Sequence, residues 1–466
     1  MRTLLLIILC LITSQLFSQE KQLEQAIGWK GNAIEIHTVS DNAKQQCGLL
    51  VANEDSIRVS WINSNKQVVK QFAMARGLEE PLLGGFIKEG KMYLYNQNPE
   101  APVVRAWKLD SATGDVTESG IPLDFKDENL VSAVNCGDHF VYVNINPKNA
   151  ELLVHDFANE HEYATLRYHF DPELWRKLIK TANIKKGLQV GNIEVEGEGN
   201  LPLSACANKI YSRNDTLLLL MNNELKETSV YCFDLKNKQV TTRGVSHFAG
   251  FPYKSSDDAV DNSFLVQDKL LYVRVSKDSM GIQILNFYTG ATLTTFKASA
   301  KEVLGFKNSL IFSEPFIEGD RLPETDQLYR KILRNYPLIM AMPTNNNQLA
   351  ITIGSSSITN TVARGHNFIP VPLLIPGMFP LHLLMLPVAA GPKKVVPETN
   401  YFTMLIDAGS GEHVKGAPPT ILSKEIEQFS KDLKRPPLGE TLFMINGGYY
   451  YAYYDKKGRK VVILKL

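Results

Sequence analysis

The sequence predicts an all-β fold, a β-propeller of about seven four-stranded blades, with six or eight as the alternatives. Three observations carry it: residues 262–299 read as four short strands joined by tight turns, an Asp/Asn-led turn recurs along the chain, and strand-like segments lie near both termini. An irregular array of β-sandwiches is the competing architecture. A few inserted helices and one proline-rich apolar hairpin interrupt the pattern.

Within 262–299 the first apolar run ends at Asp268-Lys269, and Leu270-Leu271-Tyr272-Val273-Arg274-Val275-Ser276 follows with β-branched and aromatic residues at strand spacing. A polar turn ending in Gly281 leads to a third strand, then Tyr288-Thr289-Gly290 to a fourth, edge-like one. Four strands this short cannot bury both faces of their sheet alone, and stacking such units side by side does so.

The turn between third and fourth strands is led by Asn63, Asp110, Asp156, Asp234, Asn286, Asp407 and Asp455. Asp and Asn bond their own backbone a few residues on, and Gly or Asn accepts positive φ. Successive spacings are 47, 46, 78, 52, 121 and 48 residues. Those near 47 are one blade each, and the two long ones hold insertions.

The chain carries 50 basic and 49 acidic residues among 466, with no basic run, so it offers no electrostatic footprint for nucleic acid. Residues 1–18 read as a secretory signal: Arg2, an apolar core at 4–12, and Leu16-Phe17-Ser18 before Gln19. A signal anchor is the alternative, but the apolar core is short for a span. Export to the periplasm or the exterior is the expectation. Cys47, Cys136, Cys206 and Cys232 then remain, each in or beside an apolar strand. Buried free thiols are preferred over disulfides.

In chain order, 19–32 is a lead-in with a short helix at 19–27, and 33–39 is a strand placed to complete the last blade. The propeller occupies 33–466, with insertions at about 171–203, 320–337 and 365–397. The first holds a helix with Asp171 as N-cap, Pro172 at the first helical position, and Leu174, Trp175, Leu178 and Ile179 as its apolar stripe. Blade six begins with strands at 302–306 and 309–312, then a helix at 324–335 facing Leu328, Ile332 and Leu333 inward. A last helix lies near 423–434.

Residues 365–392 contain no Asp, Glu, Lys or Arg. Pro370, Pro372, Pro376, Pro380 and Pro387 argue against a membrane-spanning helix, and Pro376-Gly377 reads as the tip of a hairpin between 368–375 and 378–386. Arms of about eight residues reach ~25 Å. The hairpin either folds back as core or projects as a contact surface. In the second case Phe368, Leu373, Leu374, Ile375, Met378, Phe379, Leu383, Met385 and Leu386 are the contact residues, with a partner protein ahead of a membrane surface. His382, among leucines, is a packing residue.

Catalytic motifs are sparse. Gly85-Phe86-Ile87-Lys88-Glu89-Gly90-Lys91 matches most of a phosphate-binding loop, but Met92 stands where Ser or Thr is needed, so it reads as strand–turn–strand. His155, His161 and His169 lie near Asp156, Glu160 and Glu162, but strand alternation scatters them. Asp257-Asp258 and Asp261-Asn262 read as a solvated turn rather than a calcium loop. No catalytic, cofactor or metal residue is assigned.

The run Lys108-Leu109-Asp110-Ser111-Ala112-Thr113-Gly114-Asp115-Val116 resembles the repeat of quinoprotein-type propellers, as more loosely does the run from Leu405 to Glu412. The resemblance implies propeller geometry over most of 34–466. The family's docking Trp is replaced here by Thr117-Glu118-Ser119, and the adjacent cysteines of its quinone site have no counterpart. Noncatalytic relatives act as scaffolds at the bacterial envelope. The expectation is therefore an exported, non-catalytic binding or scaffold propeller. The alternative is a glycan-active hydrolase or lyase with carboxylates at the central mouth.

Overall fold

The computed structural model describes residues 20–27, 35–41, 43, 45–76, 82–98, 102–181, 190–193, 201–224, 227–247, 259–314, 324–344, 346–357, 370–372, 383–385, 398–433, 437 and 439–466. They form seven antiparallel sheets built mainly of four strands, the arrangement of a seven-bladed β-propeller. Blades 1 to 5 take residues 35–75, 82–122, 129–169, 190–246 and 259–299 in order.

Burial peaks in the middle strands of a blade and falls at the rim. All eight residues of His139–Asn146 and of Lys269–Ser276, both second strands, are buried, whereas the fourth strand Val68–Ala75 alternates with solvent. Stacked neighbours cover both faces of the inner strands, so these read as continuous apolar runs, while the rim keeps one wet face. Apolar clusters cross the boundaries between blades 7 and 1, 1 and 2, 2 and 3, and 3 and 4, and a larger one runs through blades 4, 5 and 6. Trp61 and Trp107 are fully buried in the cluster between blades 1 and 2. Each such side chain contributes roughly 1.5–3 kcal/mol by leaving water.

The recurrent turn is an Asx turn. Asp110 accepts the amides of Ala112 and Thr113, Asn286 those of Tyr288 and Thr289, and Asp407 those of Gly409 and Ser410. Gly114, Gly290 and Gly411 follow at φ of 86°, 72° and 77°, where a Cβ would be strained. Blade 3 departs from the expectation. Asp156 is buried at the strand end, and Asn159 caps the turn through the amides of His161 and Glu162.

Three expectations about connectivity are corrected. Residues 20–26 form a strand, not a helix, and Glu20–Ala26 pairs antiparallel with Lys460–Lys465 to complete blade 7 beside Glu440–Ile445 and Gly448–Asp455. Its helix-like composition yields to the edge offered by the last strand, a tertiary override of propensity. The next strand, Glu35–Ser40, therefore opens blade 1 rather than closing the last blade. In blade 6 no strand occupies 302–311. Phe312–Glu314 crosses instead to the rim, pairing with Thr399–Asp407 outside Gln348–Ser356 and Tyr336–Pro343.

That rim strand is only three residues long, and Asn308, Ser309 and Val414 together bond the remaining edge. The Asn308 side-chain oxygen accepts the Leu405 amide at 2.7 Å, and its amide nitrogen donates to the carbonyls of Val414 and Gly416. The helices are α1 (Pro172–Thr181), α2 (Leu201–Ser204), α3 (Thr325–Arg334) and α4 (Leu422–Asp432). α1, α3 and α4 fall near their expected places, whereas the strand Val190–Ile193 lies in, and α2 overlaps, 187–203, which the sequence reads as a loop. Asp171 caps α1 through the amides of Glu173 and Leu174, and Trp175 stacks on Phe170. The side chains of Leu178 and Ile179 lie outside the described set. In α3 Leu328, Tyr329 and Ile332 are buried, and Leu333 is half-buried. α4 lays Ile426 and Phe429 on blade 7, while Ile421 just before it packs into the cluster of blades 4–6.

Candidate functional site

Two features stand out: a polar knot at the axial edge of blades 4–6, and the base of the uncharged segment. The knot begins with the first insertion. Val190–Ile193 adds a parallel fifth strand inside Asn208–Arg213, the first antiparallel strand of blade 4. It also touches blade 3, and α2 touches both that strand and the innermost strand of blade 6. Ile193, Leu201 and Ala205 are buried there. The insertion thus runs along the axial edges of the blades, where a central mouth would open.

Asn262 ties this region together. Its Nδ2 donates to Ser204 O at 3.1 Å and to Pro337 O at 2.6 Å, the latter across the boundary with blade 6. Its Oδ1 accepts Lys209 Nζ from blade 4 at 2.6 Å, and Lys209 donates again to Cys206 O at 2.5 Å. Lys209 is 1% exposed, and burial pushes its ammonium down to about 7. Asn222 Oδ1 accepts from Thr228 at 2.6 Å and Ser263 at 3.0 Å, extending the network across blades 4 and 5.

Beside it, Asp261 accepts the Tyr272 hydroxyl and lies 3.6 Å from the Arg274 guanidinium, which is wholly buried. Burial raises the Asp261 carboxyl to about 6, against the opposing pull of Tyr272 and Arg274. His247 stacks on Tyr272, and burial, helped by Arg274, lowers its imidazole to about 3. Asp261 and Asn262 therefore belong to strand Ala259–Val266, not to a solvated turn. Asp257 and Asp258 lie outside the described residues. Sequence reasoning passed over Lys209; its only signal was a lysine opening an apolar strand.

The uncharged segment leaves blade 6 at Ser357 and returns at Glu398, between second and third strands. Ser357 N donates to Glu398 O, and Glu398 N to Ser357 Oγ, both at 2.8 Å. Lys331 of α3 pairs with the Glu398 carboxylate and holds it below its ordinary range. Within the segment, Pro370–Pro372 pairs antiparallel with Leu383–Met385, as a hairpin requires. Phe368, Leu373, Leu374, Ile375, Met378, Phe379, His382 and Leu386 lie outside the described residues, as do the side chains of Leu383 and Met385.

The other candidates resolve locally. His155 bonds Glu128 at 2.6 Å, His161 Glu160 at 3.4 Å, and His169 Glu151 at 3.3 Å, three separate carboxylates. The phosphate-loop look-alike is two strands, Leu82–Lys88 and Lys91–Asn98, turning at Glu89-Gly90. Among the described residues Cys47, Cys136, Cys206 and Cys232 form no disulfide; Cys232 is half-buried and the other three buried. Burial pushes the Cys136 thiol up to about 12. Among the described residues no helix is long and apolar enough to cross a membrane.

No protein-family model and no curated protein matches the chain. Among solved structures, an oligogalacturonate lyase in complex with manganese is similar over 93% of this chain and 89% of its own, at 10% identity and a TM-score of 0.36. A prolyl endopeptidase is similar over 93% of this chain, at 8% identity and a TM-score of 0.35, and the chain spans 50% of its length. A Synechocystis apocarotenoid oxygenase mutant is similar over 58% of this chain and 63% of its own, at 10% identity and a TM-score of 0.29. Likeness this weak carries no argument about family or chemistry, and the seven sheets carry the fold by themselves.

Proposed function

We propose that this chain is an exported, non-catalytic binding propeller at the cell envelope, with the 366–392 segment as its contact element and a protein as its first partner. One observation supports this most. The axial edge of blades 3–6, where a propeller enzyme would gather its carboxylates, is taken up by Val190–Ile193 and α2. The shifted ionisable groups there are buried and engaged in hydrogen bonds along and between blades. The clamp at Ser357 and Glu398 gives the uncharged segment one fixed base from which to reach a partner.

A photo-reactive residue at Phe379, activated in intact cells, tests this. A discrete protein adduct is expected. An adduct to lipid alone would shift the contact to the membrane surface, and no adduct from a folded protein would sink the proposal.

A glycan-active hydrolase or lyase is the second reading, favoured by the Asp261 carboxyl raised to about 6. Glycoside hydrolysis calls for two carboxylates flanking one bond, and the charged group facing Asp261 is Arg274. Turnover of a glycan by the purified protein, lost in Asp261→Asn, would favour this reading over the first.

A further inference from the structure

We infer that Thr165, on the rim of blade 3, is an activated hydroxyl that takes an acyl group from a carboxylic ester and keeps it as a threonine ester. The site lies apart from the axial edge and from the 366–392 segment. It therefore goes beyond the binding reading and does not rest on it.

The sheet register brings the groups together. His155 on the third strand opposes Thr165 on the fourth, so both side chains project from one face of blade 3. The connection from blade 2 carries Glu128 to the same imidazole. His155 Nε2 lies 2.6 Å from Glu128 Oε2, and His155 Nδ1 lies 2.9 Å from Thr165 Oγ1. Glu128 Oε2 also accepts the Asn144 amide at 2.9 Å, so it is the acceptor for both neighbours, and Nε2 carries the hydrogen. A neutral imidazole has one donor and one acceptor nitrogen. Nδ1 is then the acceptor, and the Thr165 hydroxyl donates to it. Carboxylate, imidazole and hydroxyl stand as orienting group, base and nucleophile.

The base is sealed and the hydroxyl is not. The side chains of His155 and Glu128 are 2% and 6% exposed, whereas Thr165 is half-buried on the rim strand beside exposed Ala164. Phe125 stacks on the imidazole at 4.2 Å, and Tyr163 meets it edge-on at 5.3 Å. Both rings are themselves half-buried, as is Leu123, and together they offer apolar surface for an acyl chain. The same rings keep water from His155. Attack by Thr165 is assisted, activation of a water to reverse it is not, and the ester persists.

In the step, Thr165 Oγ bonds to the ester carbonyl carbon as its proton passes to His155 Nδ1. The bond from that carbon to the alkoxy oxygen breaks, and the imidazolium returns the proton to the departing alkoxide. A threonine and an ester become a threonine ester and a free alcohol, with nothing oxidised or reduced. Thr165 and His155 touch the reacting atoms; Glu128 is a positioning residue.

Treating the purified full chain with p-nitrophenyl butyrate, and locating the acyl group by peptide mass mapping, tests this. Butyrylation of Thr165 is expected on the order of 100-fold faster than that of exposed Thr113, the scale of general-base assistance. It should be retained in Thr165→Ser and fall to the Thr113 rate in His155→Phe, whose ring keeps the stack on Phe125. Glu128→Gln should slow it, and ring-nitrogen NMR of His155 should then show the Nδ1–H tautomer appear, which a merely structural carboxylate would not cause. Equal labelling of Thr165 and Thr113 in the parent would overturn the inference whether or not the variants fold, as would undiminished labelling in folded His155→Phe. Continued nitrophenol release after one equivalent would overturn the persistence of the ester and make the site a hydrolase.

Discussion

Lys209 and Asn262 meet at 2.6 Å across the boundary between blades 4 and 5, and the same Asn262 amide reaches Pro337 of blade 6 at 2.6 Å. One side chain thus fastens three blades and satisfies a buried ammonium with neutral oxygens. Asn262→Leu removes all these bonds and leaves Lys209 with Cys206 O. A loss of roughly 3–5 kcal/mol is expected, the cost of breaking one partner from a buried charge. Urea unfolding measures it, and a change under ~1 kcal/mol would contradict the role given to Asn262.

The same lysine sets a pH slope. Its pKa falls from the ordinary 10.5 to about 7 on folding. Between those values the unfolded chain holds more protons than the folded one, so this group makes stability rise with pH from about 7 to 10.5. Urea midpoints between pH 7 and 9.5 should climb in the parent and climb less in Lys209→Met. Parallel curves would place the ammonium in a wetter site than described.

His247 works in the acid range. Its folded pKa of about 3 lies below the ordinary 6.5, so stability falls as pH drops through that interval. Asp261, raised from 3.8 to about 6, opposes it over most of the same interval. His247→Phe should leave only the Asp261 contribution and lower the pH midpoint of acid unfolding. A raised midpoint would contradict this balance.

Asn308 covers part of the rim edge of Thr399–Asp407, beside Ser309 and Val414. Asn308→Ala loses its bonds to the Leu405 amide and to the carbonyls of Val414 and Gly416. Destabilisation of about 2–3 kcal/mol is expected, together with self-association through the uncovered edge of blade 6. Thermal melts and light scattering read the two effects separately.

The sequence made the turns legible because an Asp or Asn followed by a positive-φ residue is a local signal. Asp110, Asn286 and Asp407 make the bonds their spacing implied. What stayed hidden was non-local. Glu20–Ala26 carries helix-compatible residues and becomes a strand only because Lys460–Lys465 offers an edge. Phe312–Glu314 skips to the far rim of its blade, an order that no local pattern encodes. Asp261 and Asn262 look like loop residues beside Asp257-Asp258, yet their partners, Arg274, Pro337 and Lys209, come from other strands. The uncharged segment was legible as an anomaly and as a hairpin, and the clamp beneath it was not.

Replacing residues 367–391 with a short Gly-Ser loop, and following the Tm of the mature protein beside its envelope contact, tests the central claim most directly. The base bonds between Ser357 and Glu398 lie outside the exchanged residues, so the propeller should melt within a few degrees of the parent while the contact is lost. A Tm lowered by ten degrees or more, about 9 kcal/mol for a chain this long at ~2.1 cal/mol/K per residue, would make the segment part of the core and contradict its role as the contact element.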